Sequence, residues 1–287
     1  VALRSAEGDV LRLAEQIDAA RTGRRELVLP SGVRMLDEQI GGLQPSVLTL
    51  VGALPGVGKS ALLATILRNV ANGGRKVGLF SLEDERGWVT KRLAAIEAGV
   101  SVFAIGTRPL THLENQRVTA AYPEVYRTLE NVVIDDRPGL SPAEIVQTAR
   151  EMILHHGCKA ILVDHLGEVR LPRSERYDLD IAEALSAFRD LAKRYAVPVV
   201  VASHVKRRVG LDVEDPPRLT DFANSSAPER MARVALGLSK PFTGCVRVSV
   251  LKQTNGCSGQ VLDLALVRHA AMVDSELSAT APPEAEP

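Results

Sequence analysis

The chain is short of aromatics, cysteine, net charge and long apolar runs, and each shortage narrows what it can be. Phe, Trp and Tyr make up only 3% of the 287 residues. No apolar stretch reaches the roughly 18 residues of a membrane-spanning helix, so a membrane span is not expected. The three cysteines, Cys158, Cys245 and Cys257, form no Cys-x-x-Cys pair and make an odd count. That argues against a disulfide or zinc framework and fits the reduced thiols of a cytoplasmic protein. Lys plus Arg number 35 and Asp plus Glu also number 35, so there is no polybasic excess and any nucleic-acid contact must be a local patch. Charges at Arg4, Glu7, Asp9 and Arg12 stand where an export signal would be apolar, so export is not expected.

What is present describes a folded chain. A hydrophobic fraction of 45% beside 24% charged residues excludes global disorder. Residues 1–30 read as an amphipathic helix and linker, because Leu3, Val10, Leu11, Leu13, Ala14 and Ile17 recur at near-helical intervals. Residues 274–287 read as a disordered tail, with three Pro, three Glu and no large apolar residue after Leu277. One domain, residues 31–273, fills the interval. There, short β-branched runs alternate with helical patterns: Val47–Val51, a helix over Lys59–Val70, Val77–Phe80, Val132–Ile134, a helix opening at Ser141, Ala160–Val163, a helix over Leu179–Tyr195, and Val197–Ala202. That rhythm predicts an α/β fold with a mostly parallel sheet covered by helices on both faces. Beyond Pro228, Val234–Leu238, Val246–Leu251 and Val261–Val267 follow closely, with a turn signal at Asn255-Gly256, and predict an antiparallel C-terminal extension.

The chemical signal is Ala53-Leu54-Pro55-Gly56-Val57-Gly58-Lys59-Ser60, set between an apolar strand and a helical run as a phosphate-binding loop requires. Gly56 and Gly58 let main-chain N–H groups face phosphate oxygens, with Ala53, Pro55, Val57 and Ala61 completing the cradle. Lys59 can reach the β- and γ-phosphates of ATP, and Ser60 can ligate Mg²⁺. Ala53 occupies a position where the strict pattern has glycine. Asp164 ends the apolar run Ile161-Leu162-Val163 and is the candidate second Mg²⁺ residue. Glu83 ends Phe80-Ser81-Leu82 and is the candidate general base, although Glu83, Asp84 and Glu85 equally fit the solvated first turn of a helix. His204 closes another strand, where a γ-phosphate sensor could sit or a polar side chain could simply be solvated.

In this order, these motifs resemble the RecA-like motor domain of the bacterial replicative helicases, the DnaB family and its phage relatives. The resemblance runs through Gly41-Gly42-Leu43-Gln44-Pro45-Ser46, the Ala-headed loop, Phe80-Ser81-Leu82-Glu83 and Ile134-Asp135-Asp136 with Gly139-Leu140-Ser141-Pro142. It continues in Asp164-His165-Leu166, Asp180-Ile181-Ala182-Glu183, Leu191-Ala192-Lys193 and Val197-Pro198-Val199. It implies a RecA-like P-loop NTPase that uses Mg-ATP in a homo-hexameric ring, moves on single-stranded DNA, and has a primase or a helicase loader as possible partner. It implies Lys59 as phosphate residue, Glu83 as base, Asp164 as Mg²⁺ acid, His204 as sensor and Lys252 as a further nucleotide contact. Arg170 and Arg173, with Lys206, Arg207 and Arg208, fall where the family projects loops toward DNA. One departure matters most: the family's late Lys-Gln-Arg-Asn-Gly is Lys252-Gln253-Thr254-Asn255-Gly256 here, with Thr254 where the family's interface arginine stands. Arg230, Arg233 and Arg247 are the candidate replacements. A nucleotide-gated assembly or DNA-binding module with little turnover is therefore the competing expectation. A recombinase or clock-type ATPase on the same core is a third.

Overall fold

The computed structural model describes residues 28–172, 177–206, 212–222, 230–267 and 271–274. The expected linker helix and the tail from residue 275 lie outside the described residues, as do Arg173, Arg207 and Arg208. Among the described residues, nine strands form one sheet in the order β3-β2-β4-β5-β1-β6-β7-β8-β9. The strands are β1 (Leu48–Ala53), β2 (Val77–Ser81), β3 (Val132–Asp135), β4 (Ala160–Asp164), β5 (Val199–His204), β6 (Val234–Ser239), β7 (Cys245–Gln253), β8 (Val261–Val267) and β9 (Ala271–Asp274). The helices are α1 (Arg34–Ile40), α2 (Lys59–Asn72), α3 (Arg86–Ala98), α4 (His112–Leu129), α5 (Pro142–Leu154) and α6 (Tyr177–Tyr195). No helix among the described residues is long and apolar enough to cross a membrane.

The first six strands in the sheet order are parallel and the last three pair antiparallel, so the expected antiparallel finish is present, but β6, expected within it, pairs parallel with β1. β1, β2 and β6 are buried at every position, and β5 at all but its last. Such continuous burial follows from apolar β-branched runs covered on both faces by crossover helices. Most of the buried hydrophobic side chains join one cluster, from Leu29 to Met272. A smaller cluster of Val100, Ala104 and Val118 sits by the α3 and α4 pair.

Local signals start the helices where the chain needs them. At α5, the Ser141 hydroxyl accepts the Glu144 N–H at 3.4 Å while Glu144 accepts the Ser141 N–H at 2.8 Å, so two otherwise orphaned donors are satisfied by one box. α4 opens with the same device at Thr111 and Glu114. α3 begins at Arg86 with Glu85 as its N-cap. Glu83 therefore lies on the loop at the tip of β2, before the helix, and not in its first turn. Besides α4, two features at the ends of the domain were not anticipated. α1 forms in the lead-in before β1, and β9 returns along β8 to finish the sheet.

Candidate active site

Register brings the chemistry together. Ser81 pairs with Asp164, Val163 with Val201, and Ala53 with His204. The carboxyl tips of β2, β4, β5 and β1 therefore stand side by side, carrying Glu83, Asp164 with His165, His204, and the phosphate loop. Ligands in open α/β sheets bind at this edge. A cleft of about 290 Å³ opens there, lined by Pro55, Gly56, Gly58, Lys59, Ser60 and Ala61 together with Glu83, Arg92, His204 and Leu266.

The loop's geometry follows from its glycines. Gly56 has φ +77° with open space where a Cβ would stand, and Gly58 has φ +128° with Met272 Cε 2.6 Å from that point. A side chain at Gly58 would be strained by its φ and would meet Met272. Gly58 precedes α2, whose first turn leaves main-chain N–H groups available to an anion and adds the positive end of the helix dipole. Two predicted cradle residues do not line the cleft. Ala53 is fully buried at the end of β1, and Val57 is buried in the core with its N–H turned back to the Leu54 carbonyl at 3.4 Å. That internal bond closes the tight turn of the loop, so Val57 shapes the cradle from beneath. Ala53 contributes through its carbonyl, which accepts from Lys59 Nζ at 3.4 Å.

Lys59 is only 5% exposed. Its Nζ also lies 3.0 Å from His204 Nδ1, and as an ammonium it can only donate, so that nitrogen accepts. Burial lowers the Lys59 pKa to about 8, against the pull of Asp164 and Glu83. Burial, reinforced by the Lys59 charge, holds His204 below the ordinary imidazole value and favours the neutral ring. Asp164 is pushed upward by burial, opposed first by the Ser60 hydroxyl. Among the described residues its Oδ1 has no hydrogen-bond partner. A buried carboxylate oxygen without a partner, beside a serine hydroxyl, is a donor set that fits a hard cation such as Mg²⁺.

Two residues at this edge escaped the sequence reading. Arg92, on α3, lines the cleft, also lines a smaller cavity with Ser60 and Asp164, and stands 3.7 Å from the Asp84 carboxylate. No local pattern marks it, since only the docking of α3 brings it to the phosphate loop. His165 is 3% exposed, and its Nε2 lies 3.1 Å from Glu83 Oε2. Its signal was available in its position, directly after a strand-terminal aspartate, but the neighbouring tip is set by register. Glu83, His165 and His204 have potential ligand atoms within 4.8 Å of one another. A transition metal does not suit them as they stand. His165 Nδ1 accepts the Gly167 N–H at 2.9 Å, so the neutral ring carries its proton on Nε2, the atom a cation would need.

Arg170 and Lys206 follow the tips of β4 and β5 at the same edge. Arg170 is paired with Glu144 at 2.8 Å, and the Lys206 N–H donates to the Asp221 carbonyl at 2.7 Å. Lys252 does not line the cleft of its own chain. β7 runs antiparallel, so Lys252 pairs with Ala235 and Gln253 with Val234, next to Thr49 near the start of β1. This is the opposite edge of the sheet, and Lys252 Nζ donates there to the Ala232 carbonyl at 2.8 Å. Thr254 shares that edge, its N–H and Oγ1 both donating to the Arg233 carbonyl at 3.0 and 3.1 Å. Of the candidate replacement arginines, Arg247 is held by Asp263 through two 2.8 Å bonds, while Arg233 is exposed and adjoins Thr254.

Comparison with known proteins is consistent with this geometry. A family model described as the DnaB-like helicase C terminal domain matches residues 28–264. The replicative DNA helicase DnaB of Haemophilus influenzae is 30% identical over 243 residues, covering 80% of this chain and 52% of that protein. That of Treponema pallidum is 30% identical over 254 residues, covering 87% and 57%. The chain thus spans about half the length of these relatives. Among solved structures, a DnaB-like replicative helicase superposes with TM-score 0.81 at 21% identity, over 95% of this chain and 67% of that one. A RadB recombinase superposes with TM-score 0.60 at 15% identity, over 86% and 99%. These last two likenesses concern the fold.

Proposed function

The chain belongs to the DnaB-like helicase C-terminal domain family, and on that premise we propose that it is an ATP-dependent DNA helicase motor hydrolysing Mg-ATP at subunit interfaces of a homo-hexameric ring. The observation that carries this reading is the convergence of Lys59, Ser60, Asp164, Glu83 and His204 on the tips of four adjacent strands. The amides at the start of α2 and the Lys59 ammonium hold the phosphates, and Ser60 and Asp164 hold the cation. When bound, Mg²⁺ would supply positive charge that offsets the negative charge of the phosphates. Glu83 takes a proton from water as the water oxygen bonds to the γ-phosphorus. The bond to the β-phosphate oxygen breaks and ADP leaves. A general base of this kind contributes about 10²–10⁴ in rate.

Single-stranded DNA is the polymer track, met by Arg170, Lys206 and the neighbouring Arg173, Arg207 and Arg208 as phosphate contacts. The DnaB-like replicative helicase of known structure is described with its interactions with primase, and a primase or a loader is the partner class proposed for this chain, in the cytosol. Because Thr254 and Lys252 lie on the far edge of the sheet, they meet a nucleotide only on a neighbouring subunit. Thr254 also supports the second reading, a nucleotide-gated assembly module with little turnover. Its neutral hydroxyl bonds its own chain, whereas a trans arginine is worth roughly 10³–10⁵ in rate.

ATP turnover measured with and without single-stranded DNA tests both readings. The motor requires hydrolysis stimulated by DNA and lost in Lys59→Ala. Nucleotide-dependent assembly without multiple turnover establishes the second reading. A Lys59→Ala variant indistinguishable from the parent in binding and turnover overturns both.

A further inference from the structure

Resting on the reading of Glu83 as the base, we propose that His165 is a positioning residue that holds the Glu83 carboxylate by one oxygen and leaves the other for the attacking water. Glu83 needs such a partner. It sits on a loop between β2 and α3 with its side chain 54% exposed, and a flexible carboxylate in solvent samples many rotamers. A base misplaced by about 1 Å can cost on the order of a hundredfold in rate.

His165 can do the holding because its own two nitrogens are assigned by its surroundings. Nδ1 accepts the Gly167 N–H at 2.9 Å, so Nδ1 carries no proton. The neutral ring must then bear its hydrogen on Nε2, and that N–H points at Glu83 Oε2, 3.1 Å away. Gly167 is part of the device. A Cβ there would lie 2.7 Å from His165 Cε1 and 2.9 Å from Nδ1, so only a residue without a side chain brings its amide onto the ring. The ring plane is fixed from a further side by His204, whose centroid is 4.2 Å away at an interplanar angle of 75°. His204 in turn meets Lys59, so the base, its holder, the sensor and the phosphate lysine form one contiguous row. His165 exchanges no proton with substrate: it starts and finishes with its proton on Nε2.

The test uses the full chain in two measurements. In the nucleotide-free protein, ¹⁵N NMR of the histidine rings should show His165 protonated at Nε2 and bare at Nδ1, with its Nε2 resonance shifted in Glu83→Ala. In kinetics, His165→Phe should lower kcat roughly tenfold to a hundredfold while leaving KM for ATP within about twofold, because the phosphate loop is untouched. His165→Gln, which retains a donor toward Glu83, should recover most of the loss. The proposal is overturned by a proton on Nδ1, by full kcat in His165→Phe, or by a glutamine variant no better than phenylalanine. Should His165→Phe not fold, the NMR assignment and the glutamine variant decide it. Glu83→Gln separates the two levels. If that variant turns over at the parental rate, the base assignment falls and this proposal with it; if it is dead and His165→Phe keeps the full parental kcat, only the positioning role falls.

Discussion

Lys59 and Asp164 are charges that burial works against, one driven down to about 8 and the other up. On the proposed function, a bound triphosphate and its cation would relieve that cost. The sign can be worked out for Lys59. Below about pH 8 the ammonium is charged in both folded and unfolded chains, and the full burial penalty stands. Between about 8 and the unperturbed 10.5 the folded chain releases its proton first, so this group's contribution to stability rises with pH. Lys59→Met should therefore raise the Tm of the nucleotide-free protein at neutral pH. At about 1.4 kcal/mol per tenfold in proton affinity, the gain is capped at about 3 kcal/mol, and it should fade as the pH passes about 10.5. Thermal unfolding of both proteins from pH 7 upward measures it. A variant less stable than the parent throughout would show that burial of this charge is not the dominant cost.

At the scale of elements, α2 carries the phosphate loop's helix end and is tied to the last strand. Thr65 Oγ1 donates to the Ala61 carbonyl at 2.8 Å and accepts the Met272 N–H of β9 at 3.0 Å, both buried. Thr65→Val keeps the volume and leaves that amide unpaired, which costs about 1–3 kcal/mol. Urea unfolding should show the lower midpoint, and an unchanged midpoint would mean that the amide finds another partner. β9 itself was not legible in the sequence, because Ala271-Met272-Val273-Asp274 is too short to show alternation. The parallel strands were legible because apolar β-branched runs leave few other structures. α4 was not, although Thr111 and Glu114 mark its start, because Pro123 sits inside it and argues against a continuous helix. At the site, Lys59, Ser60, Asp164 and His204 lie at the start or end of an element, Glu83 follows a strand tip by two residues, and all could be picked out singly. His165 and Arg92 could not, since their roles come from register and from the docking of α3. That Lys252 lies at the far edge was not legible either, because a sequence motif does not say which edge of a sheet it occupies.

The whole molecule has two working edges. β1 spans roughly 17 Å at about 3.3 Å per residue, with the phosphate loop beyond Ala53 and Arg233 bonded to Leu48 at the other end through its N–H at 3.1 Å. One chain therefore carries the candidate cleft at one edge and Arg233, Lys252 and Thr254 at the other, which is the layout the proposed inter-subunit site requires. Under the proposed ring, Arg233 is the candidate taken for the family's arginine, being exposed and joined to Thr254 through its carbonyl, with the exposed Arg230 as the alternative. Subunit mixing tests this most directly. On the proposed function Glu83→Gln should inactivate the cleft and Arg233→Ala the opposite edge, so each alone should hydrolyse ATP poorly. Mixed in one ring, they should regain turnover, because some interfaces then pair an intact cleft with an intact edge. Turnover in the mixture no higher than the average of the two variants, with mixed assembly verified, would contradict a site shared between subunits.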